Sequence, residues 1–108
     1  MNPIFLAEVN VQVIHCLRFL MPQQEVGRGD VEITVDYGDS IGTKNALICN
    51  AWARVGNSRI KGFITKVTVP KPETSEQEVE TIIAGLNNQD GFVEEVRRFI
   101  DFMTKPQK

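Results

Sequence analysis

Two strand-like segments around a short glycine turn constrain the fold of this chain most. Residues 45–55 and 59–69 are rich in Val, Ile, Thr, Trp and Phe, which favour extended strands. Between them, Gly56-Asn57-Ser58 supplies residues that adopt positive φ at little cost. The pattern predicts a β-hairpin over residues 45–69.

The two faces of this hairpin differ in chemistry. If the connecting loop holds an even number of residues, one face is small and apolar and the other mixes aromatic with basic side chains. The predicted apolar face carries Leu47, Cys49, Ala51, Ala53 and Val55 with Ile60, Gly62 and Ile64. The predicted opposite face carries Ile48, Asn50, Trp52 and Arg54 with Arg59, Lys61, Phe63 and Thr65. An odd loop would turn one strand over. We expect helices to pack on the small apolar face.

A further strand is predicted over residues 31–37. Val31, Ile33, Val35 and Tyr37 alternate there with polar residues, which is typical of a half-buried strand. Pro70 and Pro72 are expected to end the last strand, because proline cannot continue a ladder of backbone hydrogen bonds.

The C-terminal third predicts two helices, or one bent helix. Ser75 and Glu78 have the spacing of a capping box. Two apolar stripes at helical spacing follow: Val79, Ile82, Ile83 and Leu86, then Phe92, Val96, Phe99, Ile100 and Met103. Residues 87–91 interrupt the pattern, and Glu94 with Arg98 forms an expected i,i+4 ion pair.

The first twenty residues allow two interpretations. The strict alternation from Glu8 to Val13 favours a strand. Asn2-Pro3 is suited to a helix start, and Phe5, Val9, Val13, Leu17 and Leu20 share one helical face. We expect a strand and keep a helix over residues 4–20 as the alternative. The predicted fold is therefore α+β: a four-stranded antiparallel sheet, or a helix with a three-stranded sheet, followed by two C-terminal helices packed on one face.

Length and charge limit the classes of protein to consider. The 108 residues suffice for one domain, 1–108. No segment has the roughly 20 apolar residues of a membrane-spanning helix, and no signal peptide is evident, so we expect a cytoplasmic protein. The net charge of −2 argues against a generic nucleic-acid coat. The charge is unevenly distributed, since residues 41–71 contain six Lys and Arg and no acidic residue.

The sequence offers little material for catalysis. One His and two Cys without a CxxC pair argue against a metal site, and we expect no metal and no cofactor. Cys16 and Cys49 are interpreted as small buried residues, with a disulfide as the alternative in an oxidising compartment. An enzyme or small-ligand site would have to be built from His15, Asp36, Tyr37 or Ser40, and their spacing does not favour one. We therefore expect no enzyme.

The order of elements resembles the SecB-like export chaperones. The resemblance rests on Val-Glu-Ile-Thr-Val-Asp at residues 31–36, the hairpin at 45–69 and the helical pair at 75–103. It implies subunits that assemble as dimers of dimers and bind unfolded, apolar segments without catalysis.

The expected function is a non-enzymatic protein-binding module, either chaperone-like or a small regulatory or inhibitor protein. It would act as a homo-oligomer, a dimer or a tetramer. The candidate partner-binding residues are Trp52, Arg54, Arg59, Lys61 and Phe63. The alternative is single-stranded nucleic-acid binding by the same hairpin, since aromatic rings stack on bases and cations contact phosphates.

Overall fold

Five strands and three helices make up the described part of the chain, which is residues 8–13, 16–42 and 45–104 of a computed structural model. The strands are β1 (Glu8–Val13), β2 (Cys16–Leu20), β3 (Val31–Asp39), β4 (Ala46–Val55) and β5 (Gly62–Pro70). The helices are α1 (Gln23–Val26), α2 (Glu78–Asn87) and α3 (Phe92–Thr104), with a 3₁₀ turn at Ser75–Gln77.

The strands form one antiparallel sheet in the order β1-β2-β3-β4-β5. The predicted α+β class, the antiparallel sheet and the two C-terminal helices are confirmed. The sheet has one strand more than the four predicted, because the N-terminal region contributes two strands. β1 pairs with β2 in a register that places Val9 opposite Phe19. The strand interpretation is thus confirmed for residues 8–13 and 16–20, and the remainder of 4–20 lies outside the described residues.

The hairpin of β4 and β5 contains a bulge, so that the side chains of β5 beyond it lie on different faces from those predicted. Phe63 pairs with Trp52 as predicted, but Thr65 pairs with Ala51, so that β5 has one extra residue, Ile64, between these pairs. Because side chains alternate along a strand, the extra residue moves Thr65 to the helix side of the sheet. There the Thr65 hydroxyl accepts a hydrogen bond of 2.8 Å from Gln89 Nε2. The prediction that placed Thr65 beside Trp52 was wrong.

The loop between β4 and β5 is longer than the sequence indicated. β5 begins at Gly62, so Arg59, Ile60 and Lys61 lie in the connection and not in the strand. Ile60 was predicted on the apolar face, but it is 62% exposed. The glycine turn itself is confirmed, since Gly56 has a φ of 56°.

The core lies between one face of the sheet and the helices. Cys49, Ala51 and Ala53 of β4 are completely buried there, as are Ile82 and Leu86 of α2. Phe92, Val96 and Ile100 of α3 are buried as well. These buried residues confirm the prediction that helices pack on the small apolar face. Small side chains on β4 let the helices approach the sheet closely.

Two predicted local interactions do not form. Ser75 begins the 3₁₀ turn and makes no side-chain cap to α2, whose first residue is Glu78. The Glu78 carboxylate instead accepts a hydrogen bond of 3.3 Å from the Tyr37 hydroxyl. Arg98 pairs with Glu95, at 2.6 Å, and not with Glu94. No helix among the described residues has the length and apolar character needed to cross a membrane.

Gly85 provides a test of the close contact between α2 and the sheet. A Cβ added at Gly85 would overlap Cγ1 of Val69. The overlap costs about 1–3 kcal/mol, which exceeds the gain of about 1 kcal/mol from alanine in a helix. Gly85→Ala should therefore lower the free energy of unfolding in urea. Gly38→Ala is the control, because an added Cβ meets no atom within 4 Å there.

A double-mutant cycle with Val69→Ala checks the cause of that effect. Shortening Val69 removes the overlapping methyl group, so Gly85→Ala should be less costly in the Val69→Ala background by about 1 kcal/mol. Purely additive effects would contradict the proposed contact.

Candidate binding site on the outer face of the sheet

The face of the sheet turned away from α2 and α3, here called the outer face, carries most of the predicted site. Strand pairing aligns Arg18, Thr34 and Trp52 across β2, β3 and β4, and Phe63 of β5 continues this row. A second row joins Leu20, Glu32 and Arg54. Both rows arise because antiparallel pairing places every second residue of each strand on the same side.

An aromatic pair with a cation beside it forms one part of the outer face. The ring centroids of Trp52 and Phe63 are 5.3 Å apart, and the ring planes meet at 75°. Lys61 Nζ lies 5.8 Å from the centroid of the Trp52 ring. This edge-to-face pair and the cation–π contact stabilise each other's positions. Phe63 remains 53% exposed. Three of the five predicted site residues therefore meet.

A shallow concavity of about 390 Å³ lies next to this pair. The other two predicted residues, Arg54 and Arg59, line it together with Lys61. All five candidates thus belong to one continuous surface. The remaining lining residues are Cys16, Arg18, Glu32, Thr34 and Asp36.

Glu32 bridges two of the guanidinium groups in the concavity. Arg54 Nη2 donates to Glu32 Oε1 at 2.5 Å, and Arg18 Nε lies 3.7 Å from Glu32 Oε2. The Glu32 side chain is only 18% exposed, so the contact with Arg54 is screened less than a fully exposed ion pair. Arg18 and Arg54 are partly neutralised by this one carboxylate.

The cations of the β4–β5 loop are not neutralised in this way. Neither Arg59 nor Lys61 forms an ion pair with any carboxylate among the described residues. Both line the concavity. The positive charge available to a ligand is therefore concentrated at the loop side.

Two buried donors on the outer face of β4 lack an acceptor. Trp52 Nε1 and Arg54 Nε are shielded from solvent, and neither has a hydrogen-bond partner in the described part of the chain. An unpaired buried donor costs about 1–3 kcal/mol, so each of these two groups requires an acceptor, which a water molecule or a bound group would supply.

The two cysteines lie on opposite faces. Cys16 pairs in register with Asp36 on the outer face, whereas Cys49 pairs with Tyr37 on the helix side, and both thiols are free. Burial, followed by the Asp36 carboxylate, raises the pKa of the Cys16 thiol. Burial alone raises the pKa of Cys49 to about 11. A raised pKa keeps a thiol neutral and makes it a weak nucleophile.

Two of the residues weighed for an enzyme site, Asp36 and Tyr37, lie on opposite faces of the sheet. Asp36 lies on the outer face, and the hydroxyl of its neighbour Tyr37 is hydrogen-bonded to Glu78 on the other side. His15 lies outside the described residues. No group of three His, Cys, Asp or Glu suited to a metal ion occurs in the portion of the chain that the structure describes.

Sequence reasoning missed Arg18, Glu32 and Thr34 as parts of the site. The polar alternation at 32, 34 and 36 did indicate a solvent-facing side of β3. It did not indicate that this side adjoins Trp52 and Arg54, because the pairing of β3 with β4 is a tertiary feature. Arg18 depended in addition on β2, a strand in the ambiguous N-terminal region.

Comparisons of this chain with protein-family models, with curated proteins and with solved structures each gave no match. The resemblance to the SecB-like chaperones therefore remains a prediction.

The unpaired indole donor gives a test of the described geometry. Trp52→Phe keeps an aromatic ring and removes an N–H that has no acceptor among the described residues, so the free energy of unfolding should change by less than about 1 kcal/mol. Trp52→Ala removes the ring and should cost about 3 kcal/mol. Urea denaturation followed by circular dichroism measures both. A loss in Trp52→Phe well above about 1 kcal/mol would instead indicate that the indole N–H is hydrogen-bonded in the folded protein.

Proposed function

We propose that this protein is a non-enzymatic protein-binding module, chaperone-like or regulatory, whose outer face holds an extended segment of another protein. The observation that carries the proposal is the exposed Phe63 side chain beside Arg59 and Lys61, two cations that form no ion pair with any carboxylate the structure describes. Leu20 and Ile60 add further exposed apolar surface. A segment that alternates apolar and acidic side chains matches this combination. Its apolar side chains would contact Phe63 while its carboxylates contact Arg59 and Lys61.

The same face is less suited to single-stranded nucleic acid. Stacking requires an open ring face, but the Trp52 ring has the Lys61 ammonium above it. Glu32 and Asp36 line the same concavity, so a continuous run of phosphates would meet both carboxylates, whereas a single acidic side chain at the loop side would not meet Asp36. Nucleic-acid binding is therefore an outcome that the test below must distinguish.

The protein acts as a homo-oligomer, a dimer or a tetramer, in this proposal. The sheet is open, so β1 and β5 are edge strands, and edges present backbone groups to further strands. A cytoplasmic location is part of the proposal and is supported by two free thiols that cannot pair within one chain. Light scattering during size-exclusion chromatography measures the mass of the assembly. A monomer at every accessible concentration would refute the oligomer.

A peptide-binding experiment tests the partner class. A labelled peptide of alternating Val and Glu should bind, as measured by fluorescence anisotropy. A peptide of equal length with Lys in place of Glu should not bind, since it is repelled by the loop cations. Oligothymidylate of equal charge is the third probe. Tighter binding of the oligonucleotide than of the acidic peptide would overturn the proposal in favour of nucleic acid, and no binding of any probe would also refute it.

Variants locate the binding on the outer face. Phe63→Ala and the double variant Arg59→Ala with Lys61→Ala should each weaken the acidic peptide by at least about fivefold, the effect of about 1 kcal/mol. Arg98→Ala is the matched control, because Arg98 is an exposed cation of α3 on the opposite layer. Equal weakening in Arg98→Ala would indicate attraction by net charge alone.

A further inference from the structure

The concavity on the outer face has an excess of positive charge over its lining carboxylates. Arg18, Arg54, Arg59 and Lys61 line it, opposed by Glu32 and Asp36. Glu32 contacts Arg18 and Arg54 together, so a single carboxylate is shared between two guanidinium groups. The concavity therefore retains donors and charge that no described residue satisfies.

The unsatisfied donors lie toward the β4–β5 loop. Arg54 Nε is buried and has no acceptor among the residues that the structure describes, and the same holds for the neighbouring Trp52 Nε1. Arg59 has no ion pair among the residues described, and the Lys61 ammonium contacts only the Trp52 ring in the interactions seen there. Guanidinium groups bind planar or tetrahedral oxyanions through paired N–H donors, which gives this arrangement a defined chemistry.

The end of the concavity away from the β4–β5 loop repels anions, because a carboxylate lines it. Asp36 lines that end next to Cys16, and burial followed by the Asp36 carboxylate raises the pKa of the Cys16 thiol. A negatively charged group is thus repelled from Asp36 and attracted by Arg54, Arg59 and Lys61.

We propose that the loop side of this concavity is a binding site for one oxyanion group, a carboxylate or a phosphate, and that Glu32 occupies part of its donor set when the group is absent. The inference rests on the proposed function for the source of that group, which is a side chain of the bound segment. Arg59 and Lys61 hold the group, and the Arg54 guanidinium donates to it in place of Glu32.

Glu32 then acts as an internal competitor. Binding replaces the Glu32–Arg54 hydrogen bond with one to the ligand, so removal of the Glu32 charge should tighten binding. A merely structural Glu32 would have the opposite effect or none, because its loss would loosen Arg54 without freeing it for an anion. The sign of the change therefore separates the two roles.

The test uses inorganic phosphate and succinate as separate probes, with chloride at matched ionic strength. Trp52 is the only tryptophan, so its indole N–H gives a single resonance in a ¹H–¹⁵N spectrum. Phosphate or succinate should shift this resonance saturably, because the Lys61 ammonium moves from the ring to the anion. A shift with phosphate alone assigns the site to phosphate, and a shift with succinate assigns it to carboxylates. A linear shift equal to that with chloride would overturn the proposal.

Three variants make the result specific. Arg59→Ala should weaken the effective probe by about tenfold, the loss expected for a charge-assisted contact. Glu32→Gln should tighten it by about the same factor. Lys71→Ala is the matched control, since Lys71 pairs with Asp39 and does not line the concavity. If Glu32→Gln does not fold, as judged by circular dichroism, the Arg59→Ala result decides, because Arg59 is exposed in a loop.

The outcomes also separate this inference from the proposed function. Saturable binding of phosphate or succinate without any binding of the acidic peptide would leave the oxyanion site standing and refute the peptide-binding function. Peptide binding that excess phosphate and succinate do not reduce, with no shift of the indole resonance, would refute the oxyanion site and retain the peptide-binding function.

Discussion

Close packing of α2 and α3 against one face of the sheet is the interaction on which the rest of the structure depends. It requires small side chains on that face, and β4 supplies Cys49, Ala51 and Ala53, all completely buried. It also requires glycine at the closest approaches, since a Cβ at Gly62 would overlap the Phe99 ring. Because β4 alternates strictly, this demand places Asn50, Trp52 and Arg54 on the other side. The candidate site is thus a consequence of where the helices pack.

The bulge in β5 determines how the site is completed. Before the bulge Phe63 stands opposite Trp52, and after it Lys66 stands opposite Asn50. Without the extra residue, every later side chain of β5 would exchange faces, so that Val67 and Val69 would leave the core. The bulge therefore allows one strand to contribute both an aromatic ring to the outer face and two valines to the interior.

Much of the fold could be predicted from the sequence, because local patterns determine it. The alternation in β3, the glycine turn and the helical stripes each depend on residues close in sequence. The bulge could not be predicted, since nothing in residues 62–66 distinguishes a regular strand from one with an inserted residue. The capping box did not form because Ser75–Gln77 make a 3₁₀ turn, so that Ser75 does not precede the first turn of α2, and the Glu78 carboxylate accepts from Tyr37, a residue distant in sequence.

The candidate site was predictable only in part. Trp52, Phe63 and the three hairpin cations come from one segment, so their closeness in sequence already groups them, although Arg59 and Lys61 lie in the loop and not in β5. Glu32 and Arg18 reach the same surface through strand pairing over long sequence separations, which a single sequence does not reveal. The balance of positive and negative charge in the concavity therefore depends on the order of the strands in the sheet and could not be predicted from the sequence.

The connection between β4 and β5 has a consequence for how such a protein can diversify. Arg59 and Lys61 belong to a surface loop, outside the paired residues of β4 and β5 and outside the buried cluster. Replacement of these two residues would alter which molecules the surface attracts while the scaffold beneath stays folded. Glu32, on the middle strand, would be the same in every such variant, so each ligand would have to bind Arg54 more strongly than Glu32 does. Selectivity and architecture are thus encoded in different parts of the chain, and the first can evolve without endangering the second.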